Sequence, residues 1–272
     1  MQRNSIAPAS FFRSMIGNRH LVRQMVVREI ASRYRGSALG IVWSFFIPVL
    51  MLAIYTFVFS FVFKARWRVG NDSKTEFALV LFAGLMLFNM FADCVNRAPL
   101  QIVSNVNLVK KVVFPLEILS VVAVAASIFQ MLVSLVVWLV FYVAVFGVPP
   151  VTALWLPLIA LPLVLITLGV TWFLAALGVY LRDVAQITGV ITTTLMFLTP
   201  IFFPASAVPE QFQILFLINP LASIIELARN ALIWGKSPDP FMCSYLIASS
   251  VAVAWLGFAC FQKTRGGFSD VL

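Results

Sequence analysis

From Gly36 to Phe63 the chain carries no charged residue, and nearly every position in that run of 28 is apolar. A bilayer hydrocarbon core of about 30 Å is crossed by about 20 helical residues, so the run is long enough to span a membrane. A soluble domain has no comparable use for it. Seven arginines (Arg3, Arg13, Arg19, Arg23, Arg28, Arg33, Arg35) precede the run. Short basic flanks stay in the cytoplasm, which predicts a cytoplasmic segment over 1–36 and a transmembrane domain over 37–272.

The rest of the chain repeats the pattern. Hydrophobic residues make up 62% and charged residues 11%, against about 25% charged in a typical soluble domain. Uncharged stretches predict six membrane-spanning helices at about 38–63, 77–95, 118–146, 154–180, 187–203 and 241–261. The fold class is therefore an all-α polytopic membrane protein with an N-terminal cytoplasmic interface helix. With both termini inside, 13 of the 19 basic residues fall on cytoplasmic segments, as the positive-inside rule asks.

The stretch between spans five and six is apolar enough to suggest a seventh crossing at Ile214–Trp234. Asn219–Pro220 would break it. Glu226 and Arg229 would lie mid-bilayer, at about 2.5–3.5 kcal/mol each on insertion scales. Three residues apart on a helix, they are expected to pair. The sequence thus predicts two short re-entrant outer helices, about Pro209–Leu217 and Pro220–Trp234, of the kind tolerated where protein buries them.

Several chemistries have no footing here. The phosphate-cradling loop of ATPases, the zinc helix motif and the nucleophile elbow are absent from the sequence. Cys94, Cys243 and Cys260 show no metal or disulfide spacing. The single histidine, His20, sits among arginines. The net charge of +9 is gathered at the edges of apolar runs rather than on a base-reading face, which argues against nucleic acid. The start of the chain lacks the layout of a cleavable signal peptide. Asp93 and Glu117 alone approach span interiors, and Asp93 can pair with Arg97 one helical turn away. Many spans, no catalytic constellation and no evident fuel predict the membrane half of a two-component machine, not an enzyme. An ion-coupled carrier and a membrane enzyme on lipid-linked sugar remain as other classes.

Five motifs, in order, carry a resemblance. They are Arg33–Ser44 (RYRGSALGIVWS), Asn107–Leu119 (NLVKKVVFPLEIL), Arg182-Asp183-Val184, Leu198-Thr199-Pro200-Ile201 and Asn219-Pro220. Together they resemble ABC-transporter permeases that export bacterial polysaccharides. O-antigen permeases are the nearest type, and capsule and teichoic-acid permeases are close relatives. The resemblance implies two copies of the chain around one pathway in the bacterial inner membrane, with two cytoplasmic ATPase subunits beneath. It implies no cofactor in this chain, with ATP and Mg in the partner ATPase. The substrate it implies is an undecaprenyl-diphosphate-linked glycan.

Residue roles follow as expectations. Val22, Val26, Ile30 and Tyr34 form a stripe on a helix over Arg19–Arg35. Arg23, Arg28, Arg33 and Arg35 on that segment anchor it to anionic lipid, or, as the resemblance implies, contact the ATPase and frame access for a lipid diphosphate. The loop Asn96–Pro115, with a helix start at Ala98-Pro99, is the candidate coupling element through Leu108, Val109, Lys110 and Lys111. Arg182 and Asp183 form a smaller contact. In span one, Trp43, Phe46, Phe57 and Phe61 share one ideal-helix face, and Tyr55 and Phe59 favour another. Either face could line a sugar pathway or pack against lipid. Pro48 makes the phase between them uncertain.

Overall fold

The computed structural model describes residues 8–63, 67, 74–110, 114–204 and 208–272. These residues form helices and connecting turns, with no strand among them. Lys64, Arg66, Arg68 and Lys111 lie outside the described residues, as does the side chain of Phe61.

Two helices precede the first apolar run, α1 (Pro8–Gly17) and α2 (Arg19–Ser32). After a turn with Gly36 at positive φ, α3 (Trp43–Tyr55) begins and passes directly into a π-helical stretch, Thr56–Val62. Then come α4 (Lys74–Gln101), the short α5 (Val106–Lys110), α6 (Glu117–Phe146) and α7 (Leu156–Tyr180). Helix α8 (Val184–Phe197) is followed by the outer pair α9 (Glu210–Ile218) and α10 (Pro220–Leu232). The chain closes with α11 (Pro240–Thr264) and a final turn, α12 (Phe268–Val271).

Among the described residues, five helical stretches are long and apolar enough to cross a membrane: 40–59, 75–101, 117–146, 151–180 and 240–271. The expected fifth span is shorter than predicted. Helix α8 has 14 residues, about 21 Å at 1.5 Å per residue, because 198–203 is uncharged but turns instead of continuing the helix. Absence of charge marks residues that lipid or protein can cover. It does not require them to be helical.

Helix α4 is the axis of the bundle. Its apolar window is 83% buried, against 17% for α3. Around it pack α6, α7, α8, α10 and α3. A side chain at Gly178 would collide with the backbone of Pro99, so glycine there lets α7 and α4 touch. Gly169 and Gly257 bring α7 and α11 into backbone contact in the same way. Pro99 lies inside α4 rather than at the start of a new helix, so the expected helix start at Ala98 moves: α4 runs through it to Gln101.

The two outer helices form within two residues of their predicted bounds at every end. Asn219 accepts a hydrogen bond from Leu221 N at 3.0 Å, and Pro220 occupies the first helical position. A side-chain cap followed by proline is a strong start signal, visible in the sequence. Thr152 donates to Ala231 O, seating α10 on the α6–α7 connection.

Antiparallel connection of the long helices sorts the remaining parts to two ends. At one, the basic end, lie α1, α2, α5, the α7–α8 turn and α12. The α6–α7 connection, α9 and α10 lie at the other. A second core, built from Phe114, Leu116, Ile118, Trp172, Phe261 and Phe268 among others, closes the basic end, and Leu108 and Val109 of α5 pack on it.

Candidate functional site

One of the arginines that precede the first apolar run, Arg33, is drawn into the bundle. Arg33, just past α2, extends NH1 to Asp93 Oδ2 at 3.0 Å. From one turn further along α4, Arg97 Nε reaches Asp93 Oδ1 at 2.7 Å, the pairing expected from their spacing. Ser127 on α6 donates to Asp93 Oδ2 and accepts from Arg33 NH2 at 3.4 Å. Glu29 lies 3.8 Å from Arg33 Nε and 3.7 Å from Arg97 NH1. Beside them, Tyr34 Oη donates to Gln130 Oε1 at 2.6 Å, and Gln130 Nε2 donates to Ser44 O. Segments 29–34 and 44, α4 and α6 are thus joined by one polar network.

Its depth matters. Ser127 is ten residues into α6, about 15 Å from that helix's first residue. The network therefore sits well inside the bundle. The Arg33 side chain is 12% exposed, that of Asp93 28% and that of Arg97 50%. A cavity of about 360 Å³ opens beside it, between α3, α4 and α6. Arg33, Asp93, Arg97, Asn89 and Gln130 line its polar part, and Met51, Met86, Met90, Met131 and Phe82 its apolar part. Methionine walls adapt to irregular apolar guests. A second cleft of about 340 Å³ shares Arg97 and continues towards the basic end past Arg28, Gln101 and Asn105.

Of the expected arginines, only Arg33 enters the network. Arg28 lines the second cleft and is exposed, as are Arg23 and Arg35. The other residues of this network were not singled out as a site by sequence, apart from the Asp93–Arg97 spacing. They lie on separate segments, and nothing local links them.

In the candidate coupling region, Leu108 and Val109 are half-buried on the basic-end core and Lys110 is exposed. Arg182 and Asp183 are exposed in the turn before α8. Behind α5, Arg265 NH1 pairs with buried Glu117 at 2.8 Å and Arg265 NH2 donates to Phe114 O at 2.7 Å. Ser14 of α1 donates to the same carboxylate at 3.2 Å, and Trp172 Nε1 donates to Glu117 O at 3.1 Å. The chain's last turns thus brace the segment between α5 and α6, a link that local sequence patterns did not reveal.

The aromatic rings of span one lie in two different surroundings. Trp43 stacks edge-on against Phe46, which is largely outward-facing. Tyr55 lines the 360 Å³ cavity. Phe57 points outward, whereas Phe59 turns inward onto Phe77 at 5.3 Å and Phe202 at 6.3 Å. The stretch from Thr56 forms wider, π-helical turns. Kinking was expected at Pro48, which lies inside α3.

The expected pairing of Glu226 with Arg229 also gives way to something else. Arg229 is wholly buried and donates to Val80 O at 3.0 Å, Pro200 O at 2.6 Å and Ile201 O at 2.8 Å. The Trp67 ring covers its guanidinium at 4.5 Å. No ion pair joins it to Glu226 among the described residues. Carbonyls just beyond the end of α8 lack helical partners and carry the negative end of the helix dipole, which suits a cation. No group of histidine, cysteine and carboxylate side chains able to hold a metal occurs among the described residues.

A membrane helix bundle with this layout matches a known family over most of its length. Residues 20–233 fit the ABC-2 type transporter family, and the chain belongs to that family of transport-system membrane proteins. Relatives include the O-antigen export system permease protein RfbA of Myxococcus xanthus, 28% identical over 260 residues, covering 95% of this chain and 97% of that protein. A protein of the same name from Klebsiella pneumoniae is 28% identical, covering 90% and 92%. The polysialic acid transport protein KpsM of Escherichia coli is 24% identical, covering 89% and 92%.

Proposed function

We propose that this chain is the membrane subunit of an ATP-driven exporter of a lipid-linked polysaccharide of O-antigen type. The observation that carries this reading is the end-to-end match to O-antigen export permeases, which covers nine-tenths or more of both chains. The likeness to KpsM makes capsule-type polysaccharide the second reading of the cargo.

In this proposal two copies enclose the pathway. Helix α3 and the π-helical stretch after it support it: within one protomer their outward residues include Phe45, Phe46, Val49, Leu50 and Phe57, and a second copy would cover that face. Trp43, Phe46, Tyr55, Phe57, Phe59 and Phe61 are the candidate pathway aromatics. Two ATPase subunits, holding ATP and Mg, dock at the basic end against Leu108, Val109, Lys110, Lys111, Arg182 and Asp183. The chain itself performs no hydrolysis and needs no cofactor. It lies in the bacterial inner membrane with both termini cytoplasmic. It crosses six times, α8 with its following turn making one crossing and α9–α10 forming the re-entrant outer pair that holds Glu226 and Arg229. The glycan, on an undecaprenyl diphosphate carrier, arrives beside Arg23, Arg28, Arg33 and Arg35.

The test is reconstitution with a cognate ATPase subunit. Glycan movement across proteoliposomes should require ATP, and the double variant R28E/R33E should lower it far more than it lowers membrane insertion. Export by this chain without any ATPase would sink the proposal in favour of an ion-coupled carrier.

A further inference from the structure

We infer that Asp93 is a resident stand-in for a phosphate group, and that the cavity between α3, α4 and α6 seats a membrane amphiphile with a phosphate head. The head would be taken by Arg33 and Arg97 in exchange for the Asp93 carboxylate. The inference rests on the reading of the basic end as the cargo's access side and adds the atoms that would hold it.

Three features of the site support it. First, one small anion is gripped by two guanidinium groups from different segments, Arg33 on Oδ2 at 3.0 Å and Arg97 on Oδ1 at 2.7 Å. Planar donors converging on one oxyanion are the arrangement that suits phosphate. Second, the grip leaves capacity unused. Arg33 Nε has no hydrogen-bond partner, and its nearest carboxylate oxygen, on Glu29, is 3.8 Å away. A phosphate presents more acceptor oxygens than the carboxylate it would replace, and carries more charge. Third, the grip lies where the polar and methionine-lined parts of the cavity meet. A head at the arginines would leave its chain against Met51, Met86, Met90 and Met131. Arg97 also lines the cleft that leads to Arg28, so a head arriving from the basic end meets arginine along the way.

A structural staple would account for the ion pairs equally well, but the two readings differ in sign. If Asp93 only staples the bundle, neutralising it loosens the site and binding falls or stays level. If Asp93 competes with the head, neutralising it removes the competitor.

The experiment uses the chain with its ATPase in nanodiscs of neutral lipid. Farnesyl diphosphate serves as the isoprenyl probe, phosphatidylglycerol as the bulk-lipid probe and inorganic diphosphate as the chainless one. Asp93→Asn should tighten farnesyl diphosphate binding by roughly three- to tenfold. Asp93→Glu, which keeps the competitor, should stay near wild type, and Arg97→Gln should weaken binding. Arg97→Gln also serves where Asp93→Asn fails to assemble, since its side chain is half exposed. Equal tightening for phosphatidylglycerol would assign the site to bulk lipid. Response to farnesyl diphosphate alone would assign it to the cargo's carrier, and weak inorganic diphosphate binding would show that the chain contributes. Unchanged or weaker binding in Asp93→Asn, or Arg97→Gln binding as well as wild type, would overturn the inference. Export would continue in that case, whereas failure of the exporter reading would appear as loss of ATP-dependent export in the wild-type complex itself.

Discussion

Arg229 and Arg33 both sit inside this bundle, and their partners differ in kind. Arg229, at the outer hairpin, is held by three backbone carbonyls and one indole face, with no exposure. Arg33, near the basic end, is held by side chains, mainly Asp93 and Ser127, and touches a cavity. Carbonyls cannot leave without moving the backbone, so Arg229 pins α10 to α4 and to the turn after α8. Side-chain partners can rotate away, so Arg33 belongs to a joint that can exchange.

The largest effect should come from breaking the pin. Arg229→Met keeps the volume and leaves the buried carbonyls of Pro200 and Ile201 without their donor, at about 1–3 kcal/mol each. Val80 lies inside α4, so its carbonyl keeps a helical partner. The loss is a large share of a domain's usual 5–15 kcal/mol. The expected result is loss of a monodisperse protein in detergent, with Arg229→Lys recovering only part. Gly84→Ala reports on the same pin, because a Cβ there would lie 2.5 Å from Arg229 NH2. A stable, fully active Arg229→Met would show that the outer hairpin is held by its apolar face alone.

A middle case tests burial against exchange at the basic end. Glu117 is buried, and Arg265, its partner at 2.8 Å, keeps some contact with water. Loss of one member of a fully buried pair costs about 3–5 kcal/mol, and partial exposure reduces that here to about 1–3 kcal/mol. Glu117→Gln should lower the thermal midpoint accordingly while keeping the bond to Ser14. If the brace also steadies α5, ATP hydrolysis should persist in that variant while export per ATP falls. Parallel loss of both would reduce the brace to a stability element.

How far these parts could be read in advance depends on where their partners lie. The places of five long apolar helices followed from runs without charge, though the fifth expected span did not, and the outer hairpin followed from Asn219-Pro220, because these signals are local. The Glu226–Arg229 spacing was equally local and misled, since backbone carbonyls from α4 and from the turn after α8 outcompeted the neighbouring carboxylate and carbonyls leave no mark in a sequence. The π-helical stretch at Thr56–Val62 was not read in advance, because it has no composition of its own. The Arg33 network joins positions 33, 93 and 127, brought together only by packing of α4 against α6. Asp93 and Arg97 were visible as a pair, but the third member was not.

The smallest effect should come from Glu29, and it sharpens the comparison most. Glu29 approaches Arg33 and Arg97 only at 3.8 and 3.7 Å, and its side chain is 35% exposed. Such contacts contribute about 0–1 kcal/mol and are screened by salt. Glu29→Gln should therefore shift the thermal midpoint by at most a degree or two, with the difference fading as salt is raised from about 0.05 to 0.5 M. A large, salt-independent loss would mean that the basic-end network is as rigid as the Arg229 pin. The contrast between a fixed outer cation and an exchangeable inner one would then fail, and with it the physical ground for letting a phosphate replace Asp93.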